Sequence, residues 1–438
     1  MTTAAPPAVR LQRVVVLGAN GAMGAGSAAL FAAGGCDVTL VARDIAKDEA
    51  AVITMQGIAK SEVITSGVKC ATYDDLAAVC AGADLIFECL AEDMALKKDL
   101  FARVDAVRPP DALVATVSSG LSIREMCEGR SQGFRSHFAG IHLYNPPHVM
   151  TGVEVIPHPD MPSDVVEQIG AILTGRFGRA VVPCADTPAF AGNRIGFKVM
   201  NEVAQLAETH GVQVMDYLVG PYTGRAMSPL ATVDLVGWDV HKAIVDNVAA
   251  NVRDEAAASF VIPAYMNALA AKGHLGDKTP ATGGFYRKDG KSSLALDPGS
   301  GEYRPTDPDL RVEFVEEVRQ LHRSGRYQAG VDRLMEAPGA QADLARKVVL
   351  GYMGYALNRA GPGEVCATYA DIDRIMTAGF NWAPPSGLAD LVGYKRAVQL
   401  LEKYELPRCA IIEAAARGEL PTPLFNLPYV VPGRYFAG

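Results

Sequence analysis

A glycine-rich junction directly after the first apolar run constrains this chain more than any other feature. Residues 13–18 (RVVVLG) are typical of a buried parallel strand, and Gly18, Gly21 and Gly24 follow in a GxxGxxG spacing, one residue longer than GxGxxG. Residues 24–33 are small and compatible with a helix. Glycines at a strand-to-helix junction let the backbone approach an anion, which the free N–H groups and the dipole of the helix then face.

This junction, with Ala22 and Met23 between its glycines, predicts a site for the pyrophosphate of a dinucleotide; a tight turn that binds nothing is the alternative. In such sites a carboxylate after the second strand binds the adenosine ribose of NAD, whereas an arginine there accommodates the 2′-phosphate of NADP. Here the second predicted strand, residues 37–42, is followed by Arg43 and Asp44. Asp44 lies about 20 residues after the last loop glycine, as NAD binding requires. We therefore expect NAD, and Arg43 leaves NADP open.

The distribution of charge and cysteine along the chain indicates the cellular compartment and the kinds of partner. The run from Val14 to Cys36 carries no charged side chain and so resembles a membrane span or signal peptide. It also holds six glycines, which are unfavourable in a spanning helix. The net charge of −8 lacks the basic surplus of a nucleic-acid binder, and the eight cysteines form no CxxC pair, which indicates a reducing compartment. We expect a cytoplasmic protein that binds neither membrane nor nucleic acid.

Short apolar runs alternate with helical patterns through the first part of the chain. After the first run, those that we predict as strands are 37–42, 83–90, 111–118, 138–144, 153–157 and 179–184. Strands that alternate with helices are typical of a parallel sheet with helices on both faces. We therefore predict an α/β Rossmann-type dinucleotide-binding domain over residues 11–187, preceded by a disordered tail over residues 1–10.

Beyond that domain the pattern is mainly helical. We predict a first helical domain at 188–283, a linker or hairpin excursion rich in Gly, Pro, Asp and Ser at 284–339, and a second helical domain at 340–438. PLATVDLVGW at 229–238 is echoed by PSGLADLVGY at 385–394, an offset of 156 positions. The echo favours all-α C-terminal domains in which one helical domain is duplicated, with coincidence as the alternative.

One of the apolar strands contains a histidine. His142 lies within residues 138–144, and Glu154 follows twelve positions later, at the start of the next apolar run. A buried imidazole beside a carboxylate forms a general acid/base unit, because the carboxylate fixes the tautomer and stabilises the imidazolium. A core histidine with a purely structural role is the competing interpretation.

Two other chemistries fit these residues less well. His137, His142, His148 and His158 suggest a metal site, but the chain has neither an HExxH nor a CxxC spacing. Ser118 together with His142 suggests a nucleophilic enzyme, but GxSxG is absent. We therefore predict no metal and no serine nucleophile.

Five motifs follow one another along the chain: the glycine loop at 18–24, FECLAEDMALKKDLF at 87–101, TVSSGLSI at 116–123, GIHLYNPPHVMTGVEVIP at 140–157 and CADTPAFAGNRIG at 184–196. In this order they resemble the 3-hydroxyacyl-CoA dehydrogenase family, and the match continues through the helical part over nearly the whole chain. The resemblance implies an oxidoreductase of fatty-acid β-oxidation. Such an enzyme interconverts a 3-hydroxyacyl-CoA and a 3-oxoacyl-CoA by hydride transfer to or from a nicotinamide cofactor.

The resemblance also implies roles for individual residues. His142 would be the general base that takes the proton of the 3-hydroxyl, and Glu154 would hold His142 in place. Ser118 and Asn193 would hydrogen-bond the reacting oxygen. The residues that would border the nicotinamide and its ribose are Glu92, Lys97 and Asn145.

The chain departs from the family pattern in several places. Ala42 stands where the family usually has an acid, and residues 45–70 form a shorter segment than in mammalian-type members, so the CoA contacts stay open. In single-copy relatives the helical domain mediates dimerisation, which implies either a monomer with an internal pseudo-dimer or a homodimer. A non-catalytic dinucleotide-binding protein and a dehydrogenase of free β-hydroxy acids are the alternative functions.

Overall fold

The computed structural model describes residues 9–428 and 430–436, so residues 1–8 of the predicted tail lie outside the described residues. The chain divides into two compact units, Met1–Phe190 and Ala191–Gly438. The first unit contains a large sheet with helices, and the second is mostly helical. The predicted Rossmann-type α/β domain followed by a helical region is therefore confirmed.

The sheet of the first unit has the strand order β3-β2-β1-β4-β5-β6-β7-β8. Its strands are β1 (Arg13–Leu17), β2 (Asp37–Ala42), β3 (Lys69–Thr72), β4 (Leu85–Glu88), β5 (Leu113–Thr116), β6 (Phe138–Leu143), β7 (Gly152–Pro157) and β8 (Ala180–Pro183).

The connections between these strands are mostly helical. The helices of the first unit are α1 (Ala22–Ala33), α2 (Ile45–Ala59), α3 (Glu62–Thr65), α4 (Leu76–Cys80), α5 (Met94–Val107), α6 (Ile123–Met126), α7 (Gln132–Arg135) and α8 (Ser163–Gly175). The strands β4, β5 and β6 are buried along their whole length, as strands of a sheet covered on both faces must be.

One strand runs against the predicted parallel pattern. All neighbours from β3 to β6 pair in parallel, whereas β7 pairs with β6 antiparallel. The connection between β6 and β7, residues 144–151, contains no helix and is too short for the crossover that parallel strands require. The predicted parallel sheet is therefore mostly parallel and reverses at β7, and the reversal places His142 and Glu154 opposite each other.

The second unit consists mainly of helices. They are α9 (Gly192–His210), α10 (Val212–Leu218), α11 (Pro229–Val236), α12 (Trp238–Asn251), α13 (Ala264–Ala270), α14 (Glu313–Arg323), α15 (Tyr327–Glu336), α16 (Ala340–Leu357), α17 (Tyr369–Gly379), α18 (Pro385–Val392), α19 (Tyr394–Lys403) and α20 (Ala410–Ala416). In the described part of the chain, no helix combines the length and the apolar character that a bilayer span needs.

The interval 284–339, predicted as a linker or hairpin excursion, contains regular structure. It holds α14, α15 and a small antiparallel sheet in the order β11-β10-β9. The strands of that sheet are β9 (Tyr286–Asp289), β10 (Ser292–Leu296) and β11 (Tyr303–Pro305).

The two segments that echo each other in sequence have the same local structure. Both α11 and α18 begin at a proline and end at a glycine with positive φ, +98° at Gly237 and +83° at Gly393. Another helix starts immediately after each glycine. These matched segments are observed, and the duplication of a whole domain stays a prediction.

Candidate active site

The glycine loop packs tightly at the carboxyl end of β1. Gly18 has a φ of +79°, and a Cβ there would lie 2.9 Å from the carbonyl oxygen of Cys89. A Cβ on Gly24 would lie 2.5 Å from the carbonyl oxygen of Gly18. Apart from its chain neighbours, a Cβ on Gly21 would meet no described atom closer than 3.8 Å. Sterics therefore require glycine at the first and last positions, and the middle position has room for a close approach.

The N-terminus of α1 follows directly on this loop. Gly21, its N-cap, has no side chain that could cap the helix, and the first turn, which begins at Ala22 and Met23, carries no acid. The N–H groups of a first helical turn lack partners within the helix and carry its positive dipole end. Together with the glycine sterics, this turn fits the pyrophosphate of a dinucleotide.

Two acids lie close to the end of β2. Asp44 is exposed and caps α2, since its Oδ1 accepts the N–H of Ala46 at 3.0 Å, and the neighbouring Arg43 is also exposed. Asp48, which sequence analysis missed, is buried and accepts the N–H of Ala42 at 3.1 Å. Burial raises the pKa of Asp48 to about 6. Its position one helical turn after Asp44 is the signal that could have revealed it.

A buried ion pair lies at the carboxyl end of β4. Lys97 Nζ, in α5, lies 2.8 Å from both carboxylate oxygens of Glu88, and both side chains are fully buried. Glu88 also accepts the hydroxyl hydrogen of Thr116 at the end of the neighbouring β5. Sequence analysis predicted Lys97 as a site residue and missed Glu88. The available signal was an acid inside an apolar strand, which needs a cation when it is buried.

Ser118 and Glu92 contact each other next to this pair. Ser118 Oγ donates to Glu92 Oε1 at 2.6 Å, and the N–H of Ser119 donates to the same oxygen at 2.8 Å. Glu92 Oε2 lies 3.6 Å from Lys97 Nζ, and the Glu92 side chain is 41% exposed. The structure thus joins Ser118, Glu92 and Lys97 in one polar network that reaches solvent at Glu92.

His142 and Glu154 face each other across the reversed strand. They are directly opposite in the β6–β7 register, and His142 Nδ1 lies 2.6 Å from Glu154 Oε2. Both side chains are buried. A carboxylate only accepts, so Nδ1 carries the hydrogen of this bond and the lone pair resides on Nε2. This arrangement gives the imidazole the tautomer of a general base.

Two further groups approach the Glu154 carboxylate. The hydroxyl of Tyr144 donates to Oε2 at 2.8 Å, and Cys184 Sγ lies 3.6 Å from Oε1. Sequence analysis missed the role of both residues. Tyr144 could have been found from its spacing, because residues two apart in extended backbone project to the same face, and His142 precedes it by two.

Two further predicted site residues are asparagines. Asn145 is exposed in the loop between β6 and β7, and Asn193 lies in the first turn of α9, in the second unit. Of the other histidines, His137 bonds to a backbone carbonyl and His158 accepts a backbone N–H. Within residues 9–428 and 430–436, no three His, Cys, Asp or Glu side chains form a group that could hold a metal ion.

The carboxyl ends of β1, β4, β5 and β6 lie side by side at one edge of the sheet. Thr116 pairs with Gly140, so Ser118 and His142, each two residues further on, follow at matching positions on strands that are about 4.8 Å apart. Strand order reverses between β1 and β4, and sheets of this kind bind ligands outside the carboxyl ends at that point. The glycine loop, the Glu92 network and the imidazole thus share the edge at which sheets of this kind bind ligands.

This fold and this edge define a dinucleotide-binding protein, a class that includes many oxidoreductases. The chain belongs to the 3-hydroxyacyl-CoA dehydrogenase family. The family model "3-hydroxyacyl-CoA dehydrogenase, NAD binding domain" matches residues 13–187, and the model of the family's C-terminal domain matches residues 190–288.

Relatives agree with this assignment, and a solved structure has the same fold. A "Probable 3-hydroxyacyl-CoA dehydrogenase" of Bacillus subtilis is 30% identical over 90% of this chain and 52% of its own length. The mouse "Hydroxyacyl-coenzyme A dehydrogenase, mitochondrial" is 30% identical over 64% of this chain and 92% of its own length. The crystal structure of 3-hydroxybutyryl-CoA dehydrogenase from Escherichia coli superposes with a TM-score of 0.69 at 22% identity, covering 94% of this chain and 99% of that one, which shows the fold. The chain spans about half the length of the Bacillus relative.

Proposed function

We propose that this protein interconverts 3-hydroxyacyl-CoA and 3-oxoacyl-CoA by hydride transfer, with a nicotinamide dinucleotide as the second substrate. The observation that carries the proposal is the 2.6 Å contact between His142 Nδ1 and Glu154 at the edge of the sheet where the glycine loop lies. Family membership supports the substrate class, because the relatives carry hydroxyacyl-CoA in their names.

His142 is the proposed general base. In the oxidation direction Nε2 takes the proton of the 3-hydroxyl, and in the reduction direction it returns that proton to the 3-oxo group. Glu154 stabilises the imidazolium that forms and keeps the ring in one orientation. Ser118 and, on its place in the family motif, Asn193 are the proposed hydrogen-bond partners of the reacting oxygen.

NAD is the proposed cofactor. When bound, it supplies the nicotinamide carbon that accepts the hydride from C3 of the substrate. The glycine loop would hold its pyrophosphate, and Glu92, Lys97 and Asn145 would border the nicotinamide ribose. Asp44 supports NAD over NADP, whereas Arg43 supports NADP, so both cofactors belong in the assay.

Compartment and assembly are further parts of the proposal. All eight cysteines are free thiols, which supports a reducing cytoplasm as the place of work. We propose a monomer in which the two helical regions form an internal pseudo-dimer, with a homodimer as the alternative. The mass in solution from light scattering distinguishes the two assemblies.

The test of the activity is turnover of acetoacetyl-CoA with NADH or NADPH, followed by the fall in nicotinamide absorbance. We expect turnover with NADH, and a loss of about 10²–10⁴-fold in kcat for His142→Ala, the share of a general base. His137→Ala is the matched control and should leave the rate unchanged, because the His137 ring bonds to Ser136 and Gly133 in its own local segment.

Each contrary outcome points to a different function. Cofactor binding without turnover would favour a non-catalytic dinucleotide-binding protein. Turnover of 3-hydroxybutyrate without CoA would favour a dehydrogenase of free β-hydroxy acids. Full activity in His142→Ala would refute the assignment of the base.

A further inference from the structure

His142 and Tyr144 both donate to the same oxygen of the Glu154 carboxylate. His142 Nδ1 lies 2.6 Å and the Tyr144 hydroxyl 2.8 Å from Oε2, and Glu154 is fully buried. We propose that Tyr144 is a positioning residue that lowers the proton affinity of His142 by sharing the charge of Glu154. This inference rests on the proposed function, because it concerns the group assigned there as general base.

The physical argument concerns how much negative charge the imidazole meets. A hydrogen bond to an ionised carboxylate stabilises its charged form and weakens its pull on any other proton donor. In a buried site this effect is larger than in water, because the local dielectric is low. Without the Tyr144 hydroxyl, Glu154 would stabilise the imidazolium of His142 more strongly, and the ring would hold its proton up to a higher pH.

Tyr144 also contacts the imidazole through its ring. The two ring centroids are 4.8 Å apart with a tilt of 56°, and Phe190 packs near the same imidazole with a centroid distance of 5.8 Å. Phenylalanine at position 144 keeps this aromatic packing and removes only the hydroxyl. A substitution to phenylalanine therefore separates the hydrogen bond from the packing.

Other polar groups near the pair are unchanged by that substitution. From the end of β8, Cys184 Sγ lies 3.6 Å from Glu154 Oε1 and is a weak donor. At the carboxyl ends of β4 and β5, Lys97 pairs with Glu88 and Glu92, which accept the hydroxyl hydrogens of Thr116 and Ser118 respectively. The field of this network is constant between the parent protein and the variant.

The test is a histidine titration of the full-length protein by NMR with ¹⁵N-labelled histidine, with the His142 signal assigned by its loss in His142→Ala. In Tyr144→Phe we expect the titration midpoint of His142 to rise by about half a unit to one unit, part of the value of one hydrogen bond to a charged group. Cys184→Ala should produce a smaller rise, since a thiol is a weaker donor. Tyr222→Phe is the matched control, because its buried hydroxyl bonds to the Leu218 carbonyl in the helical unit.

The pH profile of kcat/KM provides the second readout. The acidic limb of oxidation should move to higher pH in Tyr144→Phe by the same amount as the NMR midpoint. An unchanged or lowered midpoint in a folded variant would overturn the inference, and so would a loss of rate that is uniform over the whole pH range. The NMR titration needs no turnover, so absence of 3-hydroxyacyl-CoA activity would refute the proposed function while the shift could still be measured.

Discussion

The helices α11 and α18 of the second unit are both capped by an acid from the preceding helix. Asp216, in α10, accepts the N–H groups of Leu230 and Ala231 at 2.8 and 3.1 Å in the first turn of α11. Asp373, in α17, accepts both the N–H and the hydroxyl hydrogen of Ser386 in the first turn of α18. The two regions thus satisfy the free N–H groups of a first turn in the same way, with a different donor set.

A second acid lies in the last turn of each helix. In α11, Asp234 accepts the indole N–H of Trp238 at 2.8 Å. It also accepts the N–H groups of Phe285 and Tyr286 at 2.8 and 2.7 Å, and these hydrogen bonds hold the start of β9 against the helix. Asp234 is 2% exposed.

In α18 the corresponding acid has the same kinds of donor. Asp390 accepts the hydroxyl hydrogen of Tyr394 and the N–H groups of Leu424 and Phe425. It is partly exposed, unlike Asp234, and the segment that it fastens is an irregular stretch near the C-terminus. The matching sequences therefore place an aspartate that binds the backbone of a distant segment in both regions. The two aspartates differ in how deeply they are buried.

The largest expected effect comes from removing these acids one at a time. We expect Asp234→Ala to lower the free energy of unfolding by about 3–5 kcal/mol, because buried donors lose their acceptor together. Asp390→Ala should cost about 1–2 kcal/mol, since water reaches its donors in a partly exposed site. Urea unfolding followed by circular dichroism measures both. Equal losses in the free energy of unfolding would show that the difference in burial between Asp234 and Asp390 does not affect their contributions to stability.

A smaller effect is expected from the pH dependence of the capping acids. Burial raises the pKa of Asp216 and of Asp373 to about 7. The folded state therefore binds more protons than the unfolded state between about pH 4 and pH 7, and the free energy of unfolding falls as the pH rises through that window. We expect each group to contribute up to about 1.4 kcal/mol per pH unit to this fall.

Asparagine variants measure the contribution of each capping acid to this pH dependence. Asp216→Asn and Asp373→Asn should each flatten the dependence of the free energy of unfolding on pH, as measured by urea unfolding at intervals from pH 4.5 to 8. If one variant flattens the curve and the other leaves it unchanged, then only one of the two regions holds a proton at neutral pH.

The sequence predicts most of the sheet, because each of its long apolar runs becomes a strand, and all of these except β8 are mostly buried. It does not predict β3 (Lys69–Thr72), whose pattern mixes polar and apolar residues and whose place depends on pairing with β2. Nor does it predict the reversed direction of β7, since direction is set by the length of the connection and by pairing rather than by composition.

In the candidate site, too, some residues are predictable from the local sequence and others are not. His142 and Glu154 are predictable, because each interrupts an apolar run with an ionisable group. Glu88 and Tyr144 were missed, because they contact residues on other elements. Glu88 pairs with Lys97 on α5, and Tyr144 bonds to Glu154 on β7. Their local signals, an acid inside an apolar strand and a residue two positions after His142, mark these residues, but only the coordinates identify their partners.

The two helical regions also differ in a buried arginine, which lies before α11 and contacts a tryptophan before α18. Arg225, before α11, pairs through its backbone with Trp382, before α18, and its guanidinium lies 4.9 Å from the centroid of that indole. Arg225 is buried, and burial lowers its pKa to about 10. Its Nη1 bonds to Thr223, whereas Nε and Nη2 have no hydrogen-bond partner among the described residues. A buried cation in such surroundings retains much of its desolvation cost.

The smallest expected effect tests this cation. We expect Arg225→Met to raise the free energy of unfolding by up to about 1 kcal/mol, because the desolvation cost of several kcal/mol exceeds a cation–π contribution of about 2 kcal/mol. Arg359→Met is the matched control and should destabilise the protein, since Arg359 bonds to the carboxylates of Asp254 and Glu255. Urea unfolding of both variants gives the comparison. If Arg225→Met is the more destabilising of the two, then stacking on Trp382 outweighs desolvation, and the first region depends on the second for the burial of its cation.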